Sequence, residues 1–333
     1  MFRKKINLAL TLVMAFICLE SYSQDPSFSQ FYANPLYLNP ALTGSAFSPR
    51  LILNYRNQWP SLPANFVTYN ASYDQYIPNI SSSFGFIFNT DKAGEGIIST
   101  TTFSGIYSYT LTVARNTYIN AGLQATYFQR KLDWYNLTFD DMFHPVWGQI
   151  YPTNERPPDN LNVSFLDFST GIAAVYSDVF FGGVSVNHLT EPYDGWYNDN
   201  STRLNMKYTI HAGGILDLEP RTRSRRSLED MTLSPNILYQ QQQNFRQLNL
   251  GLYLNKYPFV VGSWFRHNFE NPDAFIFLIG FQQSSFKVGY SYDVTVSKLK
   301  NVTGGAHEIS FTFQFNNPGQ GRKKNDPIPC PSF

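Results

Sequence analysis

The sequence contains few charged residues and only two cysteines. Asp, Glu, Lys and Arg make up 15% of its 333 residues, and the formal net charge is +1. A nearly neutral chain lacks the basic excess that attracts nucleic acid, so we expect no nucleic-acid partner. Cys18 lies in an N-terminal segment that we expect to be removed, which leaves Cys330 alone. The mature chain therefore has no disulfide framework.

Long apolar runs are also missing after residue 23. No later segment approaches the roughly 18 to 20 consecutive apolar residues that a membrane-spanning helix needs, which excludes helical spans. The chain is instead rich in aromatic residues, at 17% with 22 Tyr and 29 Phe, although its mean hydropathy is only -0.28. This combination is typical of strands with one side facing lipid and the other facing a polar interior.

The first 23 residues have the pattern of a secretory signal peptide. Three basic residues at 3–5 precede an apolar run over 6–19, and small polar residues surround Ser23. We predict cleavage near Ser23 and exclude residues 1–23 from the fold. A lipoprotein processed at the cysteine is the alternative, but the bulky Ile17 before it does not suit that processing.

Apolar and polar residues alternate with a period of two along much of the chain. In the segment 117–130, Ile119 and Leu123 share one side, whereas Asn120 and Gln124 share the other. A helix would scatter these two sets around its axis, whereas a strand separates them. About fourteen segments alternate in this way, at or above the roughly 9 to 11 residues that cross an outer membrane.

We therefore predict an all-β fold: a transmembrane antiparallel up-and-down β-barrel of about 14 strands, with an N-terminal strap or plug segment. A soluble all-β or β-helix fold is the alternative, and the segment 274–283, apolar on both faces, fits either. We divide the chain into a signal peptide (1–23), the strap or plug segment (24–48), the barrel (49–316) and a basic periplasmic tail (317–333). The strand candidates lie near 49–57, 66–77, 81–90, 100–115, 117–131, 163–177, 179–189, 206–218, 231–240, 245–256, 258–268, 274–283, 285–294 and 305–316.

The connections between these candidates favour the barrel. Those after the second, fourth, sixth, tenth and twelfth strands are tight, whereas those after odd strands tend to be long, above all 132–162 and 190–205. Short periplasmic turns and long outer loops are typical of bacterial outer-membrane barrels. A soluble β-sandwich has no reason to keep this parity.

The stretch 30–44, just before the first strand, carries no charge and contains two Asn-Pro steps. Proline fixes its own φ and pushes the preceding residue toward extended geometry, so we expect an extended, kinked segment. Two placements remain open: a strap on the outside of the periplasmic rim, or a plug inside the lumen that closes the pore. The residues for this role are Phe31, Tyr32, Asn34, Pro35, Leu38, Asn39 and Pro40.

Two basic segments fall on the predicted periplasmic side. The eighth connection, 218–230, is long where a tight turn is expected, and the tail follows the last strand. A charge run is usually solvated, but these two segments could instead bind an acidic periplasmic protein. The lone Cys330 could form an intermolecular disulfide or remain a free thiol. The candidate partner-binding residues are Arg221, Arg223, Arg225, Arg226, Arg322, Lys323, Lys324 and Cys330.

Residues suited to metal binding or catalysis are sparse. Asp140, Asp141 and His144 lie close together in sequence, but such a cluster in a long polar loop is mostly solvated, and a metal site needs several converging ligands. The five histidines are scattered, and no GxSxG box marks a serine nucleophile. We expect no enzymatic activity, no metal and no cofactor.

The mature chain resembles a known family, and the motifs that carry the resemblance lie near its two ends. The opening QDPSFSQFYANPLYLNPALTG, the YRNQWP box at 55–60, the segment NFVTYNASYD and the terminal CPSF look like the PorP/SprF family of the type IX secretion system of Bacteroidota. The resemblance covers the whole mature chain, and the opening motif and the YRNQWP box are its most specific parts. It implies a barrel in the cell outer membrane, in contact with outer-membrane lipid.

The same resemblance implies the partners. PorP-like members associate with the periplasmic part of the secretion motor, and SprF-like members serve large surface adhesins in secretion, attachment or gliding. The chain is therefore expected to act without catalysis, through contacts with secreted proteins and with type IX secretion proteins in the periplasm. Because inward-facing strand positions such as Asn120 are polar enough to line water, an outer-membrane porin or hydrophobic-ligand transporter is the alternative.

Overall fold

The chain forms a closed antiparallel β-barrel of 14 strands. The structure is a computed structural model that describes residues 25–114, 116–177, 179–197, 202–218, 230–269, 271–296 and 303–315. The strands are β1 Arg50–Gln58, β2 Phe66–Ile77, β3 Ser82–Ala93, β4 Ile98–Ala114, β5 Thr117–Leu132, β6 Asn162–Tyr176, β7 Phe180–Asn187, β8 Lys207–Gly214, β9 Thr232–Gln242, β10 Phe245–Lys256, β11 Phe259–His267, β12 Pro272–Gln282, β13 Phe286–Thr295 and β14 Ala306–Gln314. The predicted all-β barrel is confirmed.

The barrel closes where the first strand meets the last. In this pair, Arg50 lies opposite Gln314 at one end and Gln58 lies opposite Ala306 at the other. Strands β8 and β9 also pair directly, although their connection is long. Closure leaves the strand backbones hydrogen-bonded to their neighbours, which is what a strand needs in lipid, where water cannot satisfy backbone groups.

Outward-facing side chains form the apolar belt that the alternation predicted. On β4, Phe103 and Leu111 point away from the lumen and are 54% and 50% exposed. On β12, Phe277 also points outward, whereas its neighbours Ile276 and Leu278 are buried inside. This explains why β12 is apolar on both faces: one face meets lipid and the other meets an apolar filling of the lumen.

The connections follow the predicted parity in part. At one end, which we call the inner end, the connections are short, as at 257–258 and 283–285, except for the long connection 215–231 between β8 and β9. At the outer end, 133–161 and 188–206 are long, but 243–244 is as short as any inner turn. By the rule for bacterial barrels, the inner end faces the periplasm and the outer end faces the cell exterior.

Short helical turns precede the barrel and lie inside it. They are Phe31–Ala33, Pro35–Leu38 and Pro40–Leu42, each no longer than one turn. Within the described ranges, no helix has the length and apolar character needed to cross a membrane, a finding that does not concern β-barrels. The predicted signal peptide lies outside the described residues.

Prediction for the orientation. Single cysteines are introduced in place of Trp147 in the connection 133–161 and of Asn79 in an inner turn, in a chain with Cys330→Ser. A membrane-impermeant maleimide should label intact cells at position 147 and not at position 79, because only the outer end is accessible from the medium. Labelling at position 79 with protection at position 147 would show that the barrel has the opposite orientation in the membrane.

Candidate functional site

The lumen of the barrel is filled by the chain's own N-terminal segment. Residues 25–47, which we call the plug, run from the outer half of the lumen down to its inner end, where β1 begins. Phe31, Leu36, Ala41 and Leu42 of the plug are each at most 5% exposed. Of the two placements left open by the sequence, the structure has the one inside the barrel.

The two Asn-Pro steps build compact turns and not the extended segment expected from the sequence. Pro35 and Pro40 each stand at the first position of a helical turn, where the missing N–H costs nothing and the fixed φ suits the helix. The side chain of Asn39 accepts a hydrogen bond from the Ala41 amide at 2.9 Å, which caps the second turn. The extended interpretation was wrong because proline at this position starts a helix.

Glycines in the strand walls let the plug approach the barrel backbone. A Cβ on Gly122 of β5 would come within 2.4 Å of the Pro40 carbonyl carbon, and one on Gly171 of β6 would meet the Asn39 side chain at 2.0 Å. A Cβ on Gly183 of β7 would also meet the Asn39 side chain, at 2.8 Å. Together these glycines form a flat shelf on which the turn at Asn39 rests. Only residues without a side chain fit there.

Asn39 also ties the plug to the shelf by hydrogen bonds. Its amide nitrogen donates to the carbonyl oxygens of Ile172 and Val184 at 3.3 and 3.4 Å, and it lies 3.3 Å from Nε2 of His211. Ser185 donates to the Leu38 carbonyl at 3.1 Å. The polar groups of the turn are therefore satisfied by the wall.

Aromatic packing fixes the part of the plug around Phe31 and Tyr32. The ring of Phe31 meets Trp264 of β11 edge-on at 5.1 Å, and Tyr32 meets Phe181 of β7 at 5.6 Å. These rings join one buried cluster with Leu238 and other inward residues of β9 to β12. Aromatic pairs of this geometry contribute about 0.5–1.5 kcal/mol beyond their buried area.

An ion cluster holds the plug near the outer end. We use this name for Arg56 of β1, Arg266 of β11, Asp293 of β13 and Glu308 of β14, all at most 5% exposed. Arg56 contacts Asp293 at 3.0 Å and Glu308 at 3.2 Å, and Arg266 contacts Asp293 at 3.1 Å. Two cations and two carboxylates cancel, so the cluster is neutral overall.

Ser29 of the plug lies at the centre of this cluster. Its hydroxyl donates to Asp293 at 2.6 Å and accepts from Arg56 and Arg266 at 2.6 and 2.7 Å. Its backbone amide donates to a Glu308 oxygen at 2.6 Å. Four strands thus converge on one plug residue. Buried charges are tolerated only when they are paired and hydrogen-bonded, and Ser29 supplies part of that pairing.

The neighbouring Gln30 adds uncharged hydrogen bonds. Its amide nitrogen donates to the Ser291 hydroxyl at 3.2 Å and to the Glu308 carbonyl at 3.0 Å. Its side-chain oxygen accepts from the Ser310 hydroxyl at 2.6 Å. Every hydrogen-bonding group of this side chain faces β13 or β14, so the plug has a defined register against these strands.

A histidine outside the strands fixes Asp25 of the plug. His188, just after β7, lies 2.9 Å from the Asp25 carboxylate and 2.8 Å from that of Asp167. Burial disfavours the charged imidazole, but the carboxylates of Asp25 and Asp167 outweigh it and raise the pKa of His188 to about 9. Burial also opposes the Asp25 carboxylate, yet His188 and Lys207 together hold the pKa of Asp25 below its usual range.

Asp74 anchors the inner end of the plug. Its carboxylate accepts two hydrogen bonds from Arg50, at 2.9 and 2.7 Å, and one from the Gly44 amide at 2.7 Å. Gly44 adopts a φ of +75°, in the left-handed region that glycine favours, and a Cβ there would collide with Ser83. The plug is thus held at both ends and along its length.

The structure places the seven predicted strap or plug residues together inside the lumen. All seven are buried: Phe31, Tyr32, Asn34, Pro35, Leu38, Asn39 and Pro40. Arg221, Arg223, Arg225, Arg226, Arg322, Lys323, Lys324 and Cys330 lie outside the described residues. Asp140, Asp141 and His144 stand in the outer connection, and the part of the chain that the structure describes contains no group of three His, Cys, Asp or Glu side chains placed to hold a metal.

The sequence analysis did not predict the barrel residues that contact the plug. The ion cluster could have been found from charged residues on the polar face of alternating strands, as at Arg56 within the YRNQWP box. The glycine shelf could have been found from glycines inside strands, which often mark a close backbone approach. Neither pattern shows which segment of the chain contacts these residues.

A family model describes nearly the whole chain. The model of the type IX secretion system membrane protein PorP/SprF matches residues 20–313. The chain belongs to the PorP/SprF family. This PorP/SprF protein is accordingly an outer-membrane component of the type IX secretion system, as the resemblance of its opening motif and YRNQWP box implied.

Solved outer-membrane barrels resemble the PorP/SprF protein at low identity. The Pseudomonas putida toluene transporter TodX has a TM-score of 0.48 and 7% identity, with 88% of this chain and 95% of that chain covered. The CymD monoaromatic hydrocarbon channel has a TM-score of 0.47 and 11% identity, covering 86% and 93%. Omp33 of Acinetobacter baumannii has a TM-score of 0.44 and 9% identity, covering 81% and 100%. No curated protein matches the sequence.

Prediction for the glycine shelf. Gly122→Val should displace the plug, because the added side chain would overlap the Pro40 backbone, whereas Gly105→Val on the neighbouring strand has open space for a Cβ. Hydrogen exchange of residues 31–43 should be at least tenfold faster in the first variant and unchanged in the second. Equal protection in both variants would mean that the shelf does not position the plug.

Prediction for pH. Since the folded pKa of His188 is raised, its contribution to stability should be complete below about pH 6.5 and lost as the pH rises through about 9. The difference in unfolding free energy between the wild type and His188→Gln, measured by urea unfolding in detergent, should be on the order of 1–3 kcal/mol at pH 6 and close to zero at pH 10. Asp25 and Asp167 contact this histidine directly, and Lys207 contacts Asp25. A difference that does not change with pH would rule out a charged His188.

Proposed function

We propose that this PorP/SprF protein is a closed, non-enzymatic component of the type IX secretion system that acts through protein contacts. Its outer end would contact exported surface proteins, and its inner end would contact periplasmic components of the secretion motor. The observation that carries the proposal is the plug, which fills the lumen and is anchored at Ser29, Asn39 and Gly44.

A porin or a hydrophobic-ligand transporter needs a continuous path through its barrel. Here that path is occupied from Asp25 at the outer end to Phe47 at the inner end. Opening it would require withdrawing Ser29 from the ion cluster, which would leave buried charged groups without those hydrogen bonds, and a buried group left unsatisfied costs about 1–3 kcal/mol or more. Passage of solute is therefore the weaker candidate, and protein contact is left as the role for the two ends.

The titratable groups of the lumen support a role without catalysis. His188 is engaged by carboxylates through both ring nitrogens, and Asp167 also accepts from Thr190 at 2.8 Å. The ion cluster is paired around Ser29. General acid-base chemistry needs a group that can reach a substrate, and these groups face the plug and one another.

The inner end would be the place for a periplasmic partner. By chain topology the arginines of the connection 218–230 would lie at this end, since that connection links β8 to β9. The basic residues of the tail, which follows β14, would lie there too. Several arginines together can hold carboxylates bidentately, although each exposed pair contributes only about 0–1 kcal/mol. We propose an acidic periplasmic surface as the partner, with Cys330 as an intermolecular disulfide or a free thiol.

Prediction for the function. Deleting the gene should stop the export or attachment of one or a few surface proteins and leave small-solute uptake intact, and the purified protein should give no channel steps in planar bilayers. Complementation with Arg221→Ser, Arg223→Ser, Arg225→Ser and Arg226→Ser together should restore the barrel in the membrane but weaken co-purification of the periplasmic partner at low salt. The difference from the wild type should be smaller at high salt, which screens the wild-type contact itself. Normal secretion with lost uptake would instead establish a transporter. If the fourfold variant recovers the full amount of partner at low and at high salt, the connection 218–230 is only a solvated turn.

A further inference from the structure

The connection 133–161 stands above the membrane. On β5 the outward-facing residues are apolar up to Tyr127 and polar beyond it, at Gln129 and Lys131. The 16 residues of β5 extend for roughly 50 Å, or roughly 40 Å along the barrel axis at the usual tilt, against an apolar band of roughly 25 Å. The connection that follows β5 is therefore in water and not in hydrocarbon.

This connection nevertheless exposes apolar side chains. Val146 and Trp147 are 78% and 71% exposed, and Ile150 and Tyr151 are about half exposed. With His144 they form what we call the outer aromatic patch. Lipid accounts for exposed apolar residues on the strands, but it does not account for these. Contiguous apolar surface in water marks an interaction site more often than a solvated loop.

The outer aromatic patch is held in place by its own backbone. Phe143–His144 and Gly148–Gln149 pair as a two-strand hairpin, and the Ile150 amide donates to the Met142 carbonyl at 3.0 Å. Nδ1 of His144 accepts from the Val146 amide at 3.2 Å, and the His144 ring stacks on Trp147 at 4.3 Å.

A second set of contacts fixes the segment that follows the hairpin. The Asp141 carboxylate accepts from the Thr153 hydroxyl at 2.9 Å and from the Asn154 amide at 2.6 Å. Rigid presentation of exposed aromatic side chains lowers the entropic cost of binding, and Trp and Tyr are the residues that most often dominate interface energies.

The charge around the patch specifies the partner. Residues 133–161 contain five acidic side chains and one arginine, Arg156. Of these acids, Asp140, Asp141, Glu155 and Asp159 are exposed. A second copy of this acidic connection would be repelled, and so would an anionic lipid surface. A polypeptide segment with basic and apolar side chains complements both properties.

We infer that the outer aromatic patch binds an exported protein through a segment of that protein rich in basic and apolar residues. The inference deepens the proposed function and rests on it for the class of partner. Apolar side chains of the segment pack against Trp147 and Tyr151, and its basic side chains face the acidic residues around them.

The test uses the full-length protein in lipid nanodiscs. The probe is an array of overlapping 15-residue peptides that covers the proteins exported by the same cells. The bound peptides should be enriched in Lys or Arg together with apolar residues, and binding should weaken as salt is raised. A variant with Val146→Ser, Trp147→Ser and Tyr151→Ser should lose at least tenfold in affinity, since His144 and Asp141 keep the hairpin in place.

Phe269→Ser is the matched control. Phe269 is also an exposed aromatic residue of an outer connection, at 53%, but it lies between β11 and β12 and away from the patch. The control should bind the array as the wild type does. Equal binding by the triple variant and the wild type, or bound peptides without basic enrichment, would overturn the inference.

Two further results separate the inference from other occupants and from the proposed function. Loss of binding to lipopolysaccharide vesicles in the triple variant, with peptide binding unchanged, would assign the patch to the membrane surface. If gene deletion abolishes export but the triple variant supports it fully and binds the array normally, the proposed function stands and the patch has no part in it.

Discussion

The space inside a 14-stranded barrel is the constraint on which the rest of this structure depends. Eight strands enclose a space that their own side chains fill, and 16 to 18 leave an aqueous channel. This chain lies between those cases and fills the remainder with residues 25–47. The glycine shelf, the inward aromatic cluster and the buried charges all contact that one segment.

The plug is held by two kinds of interaction with different roles. Apolar packing, which includes the rings of Phe31 and Tyr32, buries much of the plug but tolerates small displacements. The ion cluster does not, because Ser29 must complete the pairing of four charged side chains with oxygens and nitrogens about 3 Å apart. Buried ionic groups contribute little net stability compared with apolar packing, yet they discriminate strongly against a shifted register. Here the aromatic side holds the plug and the charged side positions it.

Much of the fold could be predicted from the sequence, because lipid on one side of a strand and a filled lumen on the other impose a strict period of two. That constraint made β5 and β10 recognisable residue by residue. The placement of the N-terminal segment could not be predicted, since a strap and a plug bury the same residues, and the difference lies in long-range partners such as Glu308. The helical turns at Pro35 and Pro40 were missed because an Asn-Pro step suits both a kinked extended chain and the start of a helix.

The ion cluster joins the two strands that close the barrel. Arg56 belongs to β1 and Glu308 to β14, and the Ser29 amide that donates to Glu308 is separated from it by 279 residues of sequence. During biogenesis the plug is therefore made first, but the last strand that holds it is made at the end. Arg56 can pair with Asp293 once β13 is present, but its contact with Glu308 and the hydrogen bond from the Ser29 amide form only when β14 arrives. Correct seating of the N-terminal segment thus depends on the last strand of the chain, so the plug reaches its final register only in a closed barrel.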